Sequence, residues 1–218
     1  MLICKYTKLS TAAYMPHLDL LRNFDRAIRR KGLQINFSEG FNPHARLFFS
    51  QPLALGLKSM CEYFYAESNE DSETFMQKLN ESLPQGVQIL ASASTKLNPN
   101  PAALMAIADY EVTLGKPLEK DIDFSQILKE KEIIINYISK GRTVEKDVRN
   151  LIFEIQNTRD KFYFKLACGN INLRADRLAE HLLKSAGHTS DIDILKTNVY
   201  DKNNINLDKI FFTKDKNI

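Results

Sequence analysis

The residues best equipped for chemistry gather in the first quarter of the 218-residue chain. Ser38-Glu39-Gly40-Phe41-Asn42-Pro43-His44-Ala45-Arg46 compresses a hydroxyl, a carboxylate, an amide, an imidazole and a guanidinium into one loop. Gly40 and Pro43 shape the backbone around them, and an aromatic sits between. Loops so rich in polar groups are where binding and catalysis concentrate. The plainer reading is a turn whose Ser, Asn and His satisfy nearby backbone groups. Upstream, Arg22, Arg26, Arg29 and Arg30 recur at helical spacing, opposite Leu20, Leu21, Phe24 and Ile28. Asp19 is placed to pair with Arg22 at i+3 and Asp25 with Arg29 at i+4, so part of this charge is compensated locally. The remainder suits phosphates, an acidic protein surface or plain solvent.

The elements that would position these groups follow from periodicity and punctuation. Leu2–Lys8 reads as a strand. A helix then runs from Pro16 to Lys31, with proline at its start and Gly32 just past its end. Leu33–Phe37 and Arg46–Ser50 read as strands flanking the polar loop, Glu62–Glu67 as a strand, Glu70–Leu83 as a helix and Gly86–Ala93 as a strand. This order, βαββαβ with one short strand in excess, predicts a ferredoxin-like α+β unit with an antiparallel sheet over residues 1–95. After the Pro- and Asn-rich break KLNPNPAAL the pattern recurs, which predicts a second ferredoxin-like half over 105–200 and a polar tail over 201–218. The tail carries one apolar island, Ile210–Phe212, read as a packing anchor or a docking motif. In such a unit the first helical turn, with His17 and Asp19, should face the loop bearing Asn42, His44 and Arg46. One edge would then gather two histidines, a carboxylate and an arginine beside helix N–H groups that favour an anion.

Three chemistries fit that edge. His17 and His44 could serve as general acid and base in metal-free phosphodiester cleavage, with Arg46 on the phosphate. His17, Asp19 and His44 could ligate a metal, though H-x-D plus a distant His is a weak pattern. Or the edge binds an anion without reacting. His181 and His188 read as surface or helix-end residues. No Walker loop, dinucleotide fingerprint or Ser/His/Asp motif is present.

Composition narrows the classes. Apolar residues make up 44 % and charged residues 26 %, as in an ordinary globular protein. A chain this long hides roughly 70 % of its unfolded surface, so it needs no disulfide or metal staple. Cys4, Cys61 and Cys168 are too dispersed for a zinc site, a cluster or a disulfide framework. No apolar run reaches the length of a membrane span and the N-terminus lacks a leader pattern, so a cytoplasmic protein is expected. Net charge is only +3, yet residues 1–50 set eight Lys/Arg against three acids. A basic N-terminal quarter suggests an anionic partner.

The stretches PHLDLLR, RAIRRKGL, FSEGFNPHA, QPLALG and EYF together resemble the signature of the radical-SAM-linked proteins, a bacterial domain of unknown function. The matching positions include His17, Asp19, Arg22, Arg26, Arg29, Arg30, Gly32, Ser38, Asn42, His44, Glu62 and Tyr63. Pro16, Gln34 and Ala45 depart from the family pattern, and Pro16 removes a helix-capping hydroxyl. The resemblance implies a radical SAM enzyme as partner, which would carry the iron–sulfur chemistry, with no metal or cofactor in this chain. The layout is also similar to that of the repeat-associated RNA-binding proteins of CRISPR systems. The leading expectation is therefore a non-catalytic accessory module that positions RNA or another anionic substrate. In it Arg22, Arg26, Arg29 and Arg30 would meet phosphates, while Ser38, Asn42, His44 and Arg46 would make specific contacts near His17 and Asp19. The alternatives are a small metal-independent RNA-processing enzyme using His17 and His44, and an adaptor whose basic helix docks on an acidic protein.

Overall fold

A computed structural model describes residues 1–96, 101–139 and 141–213. In chain order the elements are β1 (Leu2–Lys8), α1 (His17–Lys31), β2 (Leu47–Phe49), β3 (Lys58–Ala66), α2 (Ser72–Asn80), β4 (Ile89–Ser94) and a single turn α3 (Pro101–Leu104). They continue with β5 (Ile107–Leu114), β6 (Ile134–Ser139), β7 (Arg142–Asp147), β8 (Ile152–Asn157), β9 (Lys161–Ala167), α4 (Ala175–Ser185), β10 (Ile192–Tyr200) and α5 (Leu207–Phe212). The fold is α+β, mostly antiparallel sheet with few helices. It divides into two compact units, residues 1–105 with the segment returning at Tyr200, and residues 106–199. No helix among the described residues is long and apolar enough to cross a membrane.

In the first unit the strands lie in the order β4-β1-β3-β2, every pair antiparallel. Alternation along β1 sends Leu2, Cys4 and Tyr6 toward the helices, where they meet Leu20, Phe24, Ala27 and Ile28 of α1 and Phe75 and Leu79 of α2. Tyr6, Phe24, Phe49 and Phe64 form one aromatic knot, each pair of rings 5.0–5.8 Å apart. Those four rings tie β1, α1, β2 and β3 together at a single point. At the start of α1, Pro16 makes no side-chain cap, and Gly32 closes the helix in the left-handed conformation its φ of 59° requires. Gly86, at φ 88°, lies so close to Leu9 that a Cβ there would stand 2.2 Å from the Leu9 carbonyl oxygen.

Three sequence expectations shift here. The strand expected at Leu33–Phe37 reduces to single bridges at Ile35 and Phe37, and β2 begins only at Leu47. The tail folds into α5 on the face of the first unit's sheet away from α1. Phe211 packs against Tyr63 at 5.4 Å and Tyr65 at 6.2 Å, and Asp208 pairs with Lys5 and accepts from the Tyr63 hydroxyl. The apolar island is a packing anchor, and only residues 214–218 of the expected tail lie outside the described residues, as do 97–100 of the expected domain break.

The second unit orders its strands β10-β5-β9-β8, and β5, β9 and β8 pair antiparallel. α4 buries Leu178, Ala179, Leu182 and Leu183. Where the first unit has α1, this one has a 3-10 turn over Phe124–Lys129 and a separate β6–β7 hairpin.

Candidate functional site at the polar loop and helix α1

The polar loop is an irregular hairpin. Phe37 and Ala45 form an antiparallel bridge; Ser38 donates its N–H to the His44 carbonyl at 2.8 Å, and its Oγ accepts from the His44 N–H at 3.0 Å. Gly40 turns the tip at φ 115°, and Phe41 projects wholly into solvent. Asp25 of α1 clamps the base. One carboxylate oxygen accepts the Ala45 N–H at 2.9 Å, and the other pairs with Arg29 Nε at 2.7 Å. Arg29 also donates to the Pro43 carbonyl and lies 4.5 Å over the Phe37 ring. Burial alone would raise the Asp25 pKa, but Arg29 and the Ala45 N–H outweigh it and hold the carboxyl below 3.8. Arg46 pairs with Glu67 at 3.0 Å. Ser38, Glu39, His44, Arg46 and Phe48 line a shallow depression of about 570 Å³.

The arginine stripe is mostly engaged. Arg22 pairs with Asp19 at 2.9 Å and Arg29 with Asp25, the two pairings the spacing implied. Arg30 reaches α2's end, donating to the Ser82 hydroxyl at 2.9 Å and carbonyl at 2.7 Å, and Lys31 pairs with Glu81. Arg26 is exposed and makes no hydrogen bond or ion pair among the described residues. Of the four arginines it is the one whose guanidinium is open to a partner.

The edge expected to join His17 to His44 does not form. The loop precedes β2, so it returns along the C-terminal half of α1, at Asp25 and Arg29. His17 is eight residues earlier, about 12 Å along the helix axis. Asp19 stays with Arg22, and Asn42 and His44 sit with the loop. Among the described residues no three His, Cys, Asp or Glu side chains group as metal ligands, so His17, Asp19 and His44 are not assembled into such a set.

His17 belongs to a different cluster. Its ring meets the edge of Phe49 at 6.0 Å and lies within electrostatic reach of Lys8 and Glu62. Lys8 and Glu62 are buried, 3 % and 1 % exposed, beside buried Ser50 and Ser59. Ser50 Oγ lies 3.4 Å from a Glu62 carboxylate oxygen, and Lys8 pairs with Ser59 across β1 and β3. Burial, reinforced by Lys8, lowers the His17 pKa below 6.5 against the opposing pull of Glu62. Burial likewise lowers Lys8, with Glu62 opposing. Isolated buried charges cost several kcal/mol each, which these two reduce by lying together. Sequence reading gave neither a role, although Glu62 stands among the positions of the family resemblance. The available signal was a carboxylate inside the apolar run MCEYFYA and a lysine in register with Leu2, Cys4 and Tyr6.

The remaining candidates resolve simply. Cys4 and Cys61 are buried and Cys168 half-buried, none in a disulfide among the described residues, and burial pushes the Cys4 thiol up to about 12. His188, read as a surface or helix-end residue, follows the end of α4 and is buried, with Nε2 3.0 Å from the Lys116 carbonyl oxygen.

Residues 2–196 match the model of a family described as an uncharacterized protein conserved in bacteria, DUF2344. The chain belongs to this family. The match extends over the polar loop, α1 and most of the second unit, so the loop and the buried cluster both lie within the family's domain. Comparison with curated proteins returned no match.

Proposed function

We propose that this chain is a non-catalytic accessory module that positions single-stranded RNA for a radical SAM enzyme in the cytoplasm. Phe41 carries the reading. A fully exposed aromatic at the tip of a loop clamped by Asp25 and Arg29 is a ready stacking platform for an unpaired base. Arg26, on the same helix as the clamp and open to solvent, supplies a cation for the phosphate backbone. Asn42 and His44 on the loop offer hydrogen-bonding groups for base edges.

The enzyme partner rests on the likeness of the HLDLLR, RAIRRKG and SEGFNPH stretches to the radical-SAM-linked proteins. The architecture supports the same reading. We read the order β4-β1-β3-β2, with α1 and α2 on one face, as a ferredoxin-like unit. The order β10-β5-β9-β8 repeats it, with the β6–β7 hairpin where the first helix would be. A nuclease reading would need His17 and His44 at one scissile bond, and their separation along α1 speaks against it.

The test is titration of a labelled single-stranded RNA at several salt concentrations. Binding should weaken steeply with salt, and Phe41→Ala should weaken it about tenfold, the scale of one lost base–aromatic stack. Arg26→Glu should weaken it and flatten the salt dependence. Absence of binding at low salt, or wild-type affinity in both variants, overturns the proposal. A radical SAM enzyme retained by the chain after nuclease treatment, with no RNA bound, would make it an adaptor instead.

A further inference from the structure

Within the second unit, the β6–β7 hairpin and helix α4 enclose a groove of about 820 Å³. Its walls include Tyr137 and Ile138 from β6, Arg174 just before α4, and Arg177, His181 and Lys184 from α4. The helix buries Leu178, Ala179, Leu182 and Leu183 against the unit's core, so Arg177, His181 and Lys184, at i, i+4 and i+7, form a separate stripe toward the hairpin. The Arg177 guanidinium carbon lies over the Tyr137 ring, 3.6 Å from its centre. Arg174 is engaged by Asp176. Arg177 and Lys184 make no hydrogen bond or ion pair among the described residues; Arg177's observed contact is the ring.

We propose that this groove is a nucleotide-binding site, taking one base against the Tyr137–Arg177 stack and one phosphate on Lys184 and the Arg177 N–H edge. A guanidinium stacked on an aromatic ring keeps its in-plane donors available and offers a flat cationic surface to a π-system. The volume lies within the range of small-ligand sites, roughly 300–1,000 Å³. Charge balance sets the ligand's valence. Arg174, Arg177 and Lys184 face Asp176 and Glu180, a net single positive charge, which suits one phosphate group over a polyphosphate. His181 faces Glu130 and Lys184, and burial lowers its pKa below 6.5. It therefore enters the groove as a neutral imidazole that can donate to or accept from a base or ribose. The site is independent of the RNA-positioning reading, which rests on Phe41 and Arg26 in the other unit. The same chemistry is presented by a free nucleoside monophosphate and by a nucleotide within RNA.

The full chain is titrated with AMP, with inorganic phosphate and with a short 5′-phosphorylated RNA, following the aromatic resonances of Tyr137 and His181 by NMR. Saturable shifts with AMP are expected. Lys184→Ala and Arg177→Ala should each weaken binding about tenfold, as expected for loss of a charged hydrogen-bond partner. Arg177→Lys keeps the charge but loses the plane, and should weaken AMP more than phosphate. Arg26→Glu should leave AMP binding unchanged, which separates failure here from failure of the RNA reading. An RNA bound more tightly than AMP, with the same variant losses, identifies the source as RNA; AMP bound as tightly as the oligonucleotide identifies a free nucleotide. No saturable shift, phosphate binding as tightly as AMP, or wild-type affinity in folded Lys184→Ala and Arg177→Ala chains overturns the proposal.

Discussion

Replacing Asp25 by alanine should release the polar loop while leaving the first unit folded. Two interactions are lost. The carboxylate's bond from the Ala45 N–H is a charged hydrogen bond at 2.9 Å, and at a position whose side chain is 20 % exposed it contributes about 1.5 kcal/mol, the lower end for such bonds. The Arg29 pair is more exposed, 46 % on the arginine side, and adds at most about 0.5 kcal/mol. Together they hold the loop by about 2 kcal/mol, roughly a thirtyfold change in its open population. Native-state hydrogen exchange measures this directly. Ala45 should lose about thirtyfold protection in Asp25→Ala, while Phe64, in the core of β3, should lose little. Acid should mimic the substitution. The carboxyl's native pKa is held below 3.8, so its contribution is full well above that value and fades as pH falls through the depressed native pKa. Equal loss of protection at Ala45 and Phe64, or none at either, would refute the clamp as a local device.

Three further outcomes are expected. The His17 pKa is lowered in the fold, so the unfolded chain binds that proton more readily and stability should fall as pH drops through 6.5. An NMR titration should place His17 below 6.5 and Glu62→Gln should lower it further; a value at or above 6.5 contradicts the assignment. Gly86→Ala should destabilise by about 3 kcal/mol, combining a left-handed backbone with a methyl driven onto the Leu9 carbonyl, and an unmoved urea midpoint would count against it. Phe211→Ala should cost about 2 kcal/mol, less than a fully buried phenylalanine, by removing the ring that rests on Tyr63 and Tyr65. The same denaturation series reads it, and wild-type stability would show that α5 contributes nothing to the unit.

How much of this was legible beforehand depends on the range of the interaction. Helix α1 was readable nearly to the residue. Pro16 and Gly32 punctuate it, Leu20, Phe24, Ala27 and Ile28 mark its buried stripe, and Asp19–Arg22 and Asp25–Arg29 are neighbours by helical geometry alone. The polar loop was recognisable by composition, but its place was not. Residues 33–37 look like a strand, and a loop after a strand would return to the start of α1. Only the start of sheet pairing at Leu47 puts the loop before β2, beside Asp25, and away from His17. The partner of Arg30 likewise lies at Ser82, fifty-two residues on, where no helical spacing points.

The buried cluster and the groove make the same division. Lys8 ends β1, Glu62 lies on β3 and Ser50 just follows β2, while β6 meets α4 from a distant stretch of the chain. What the chain determines by itself is what neighbours within a turn or a pleat determine: α1, most strands, and which face of each is apolar. The clamp on the loop, the company His17 keeps and the stacking of Arg177 on Tyr137 were decided by the tertiary structure, because backbone pairing and burial are settled over the whole unit and no local pattern encodes which distant side chains they bring together.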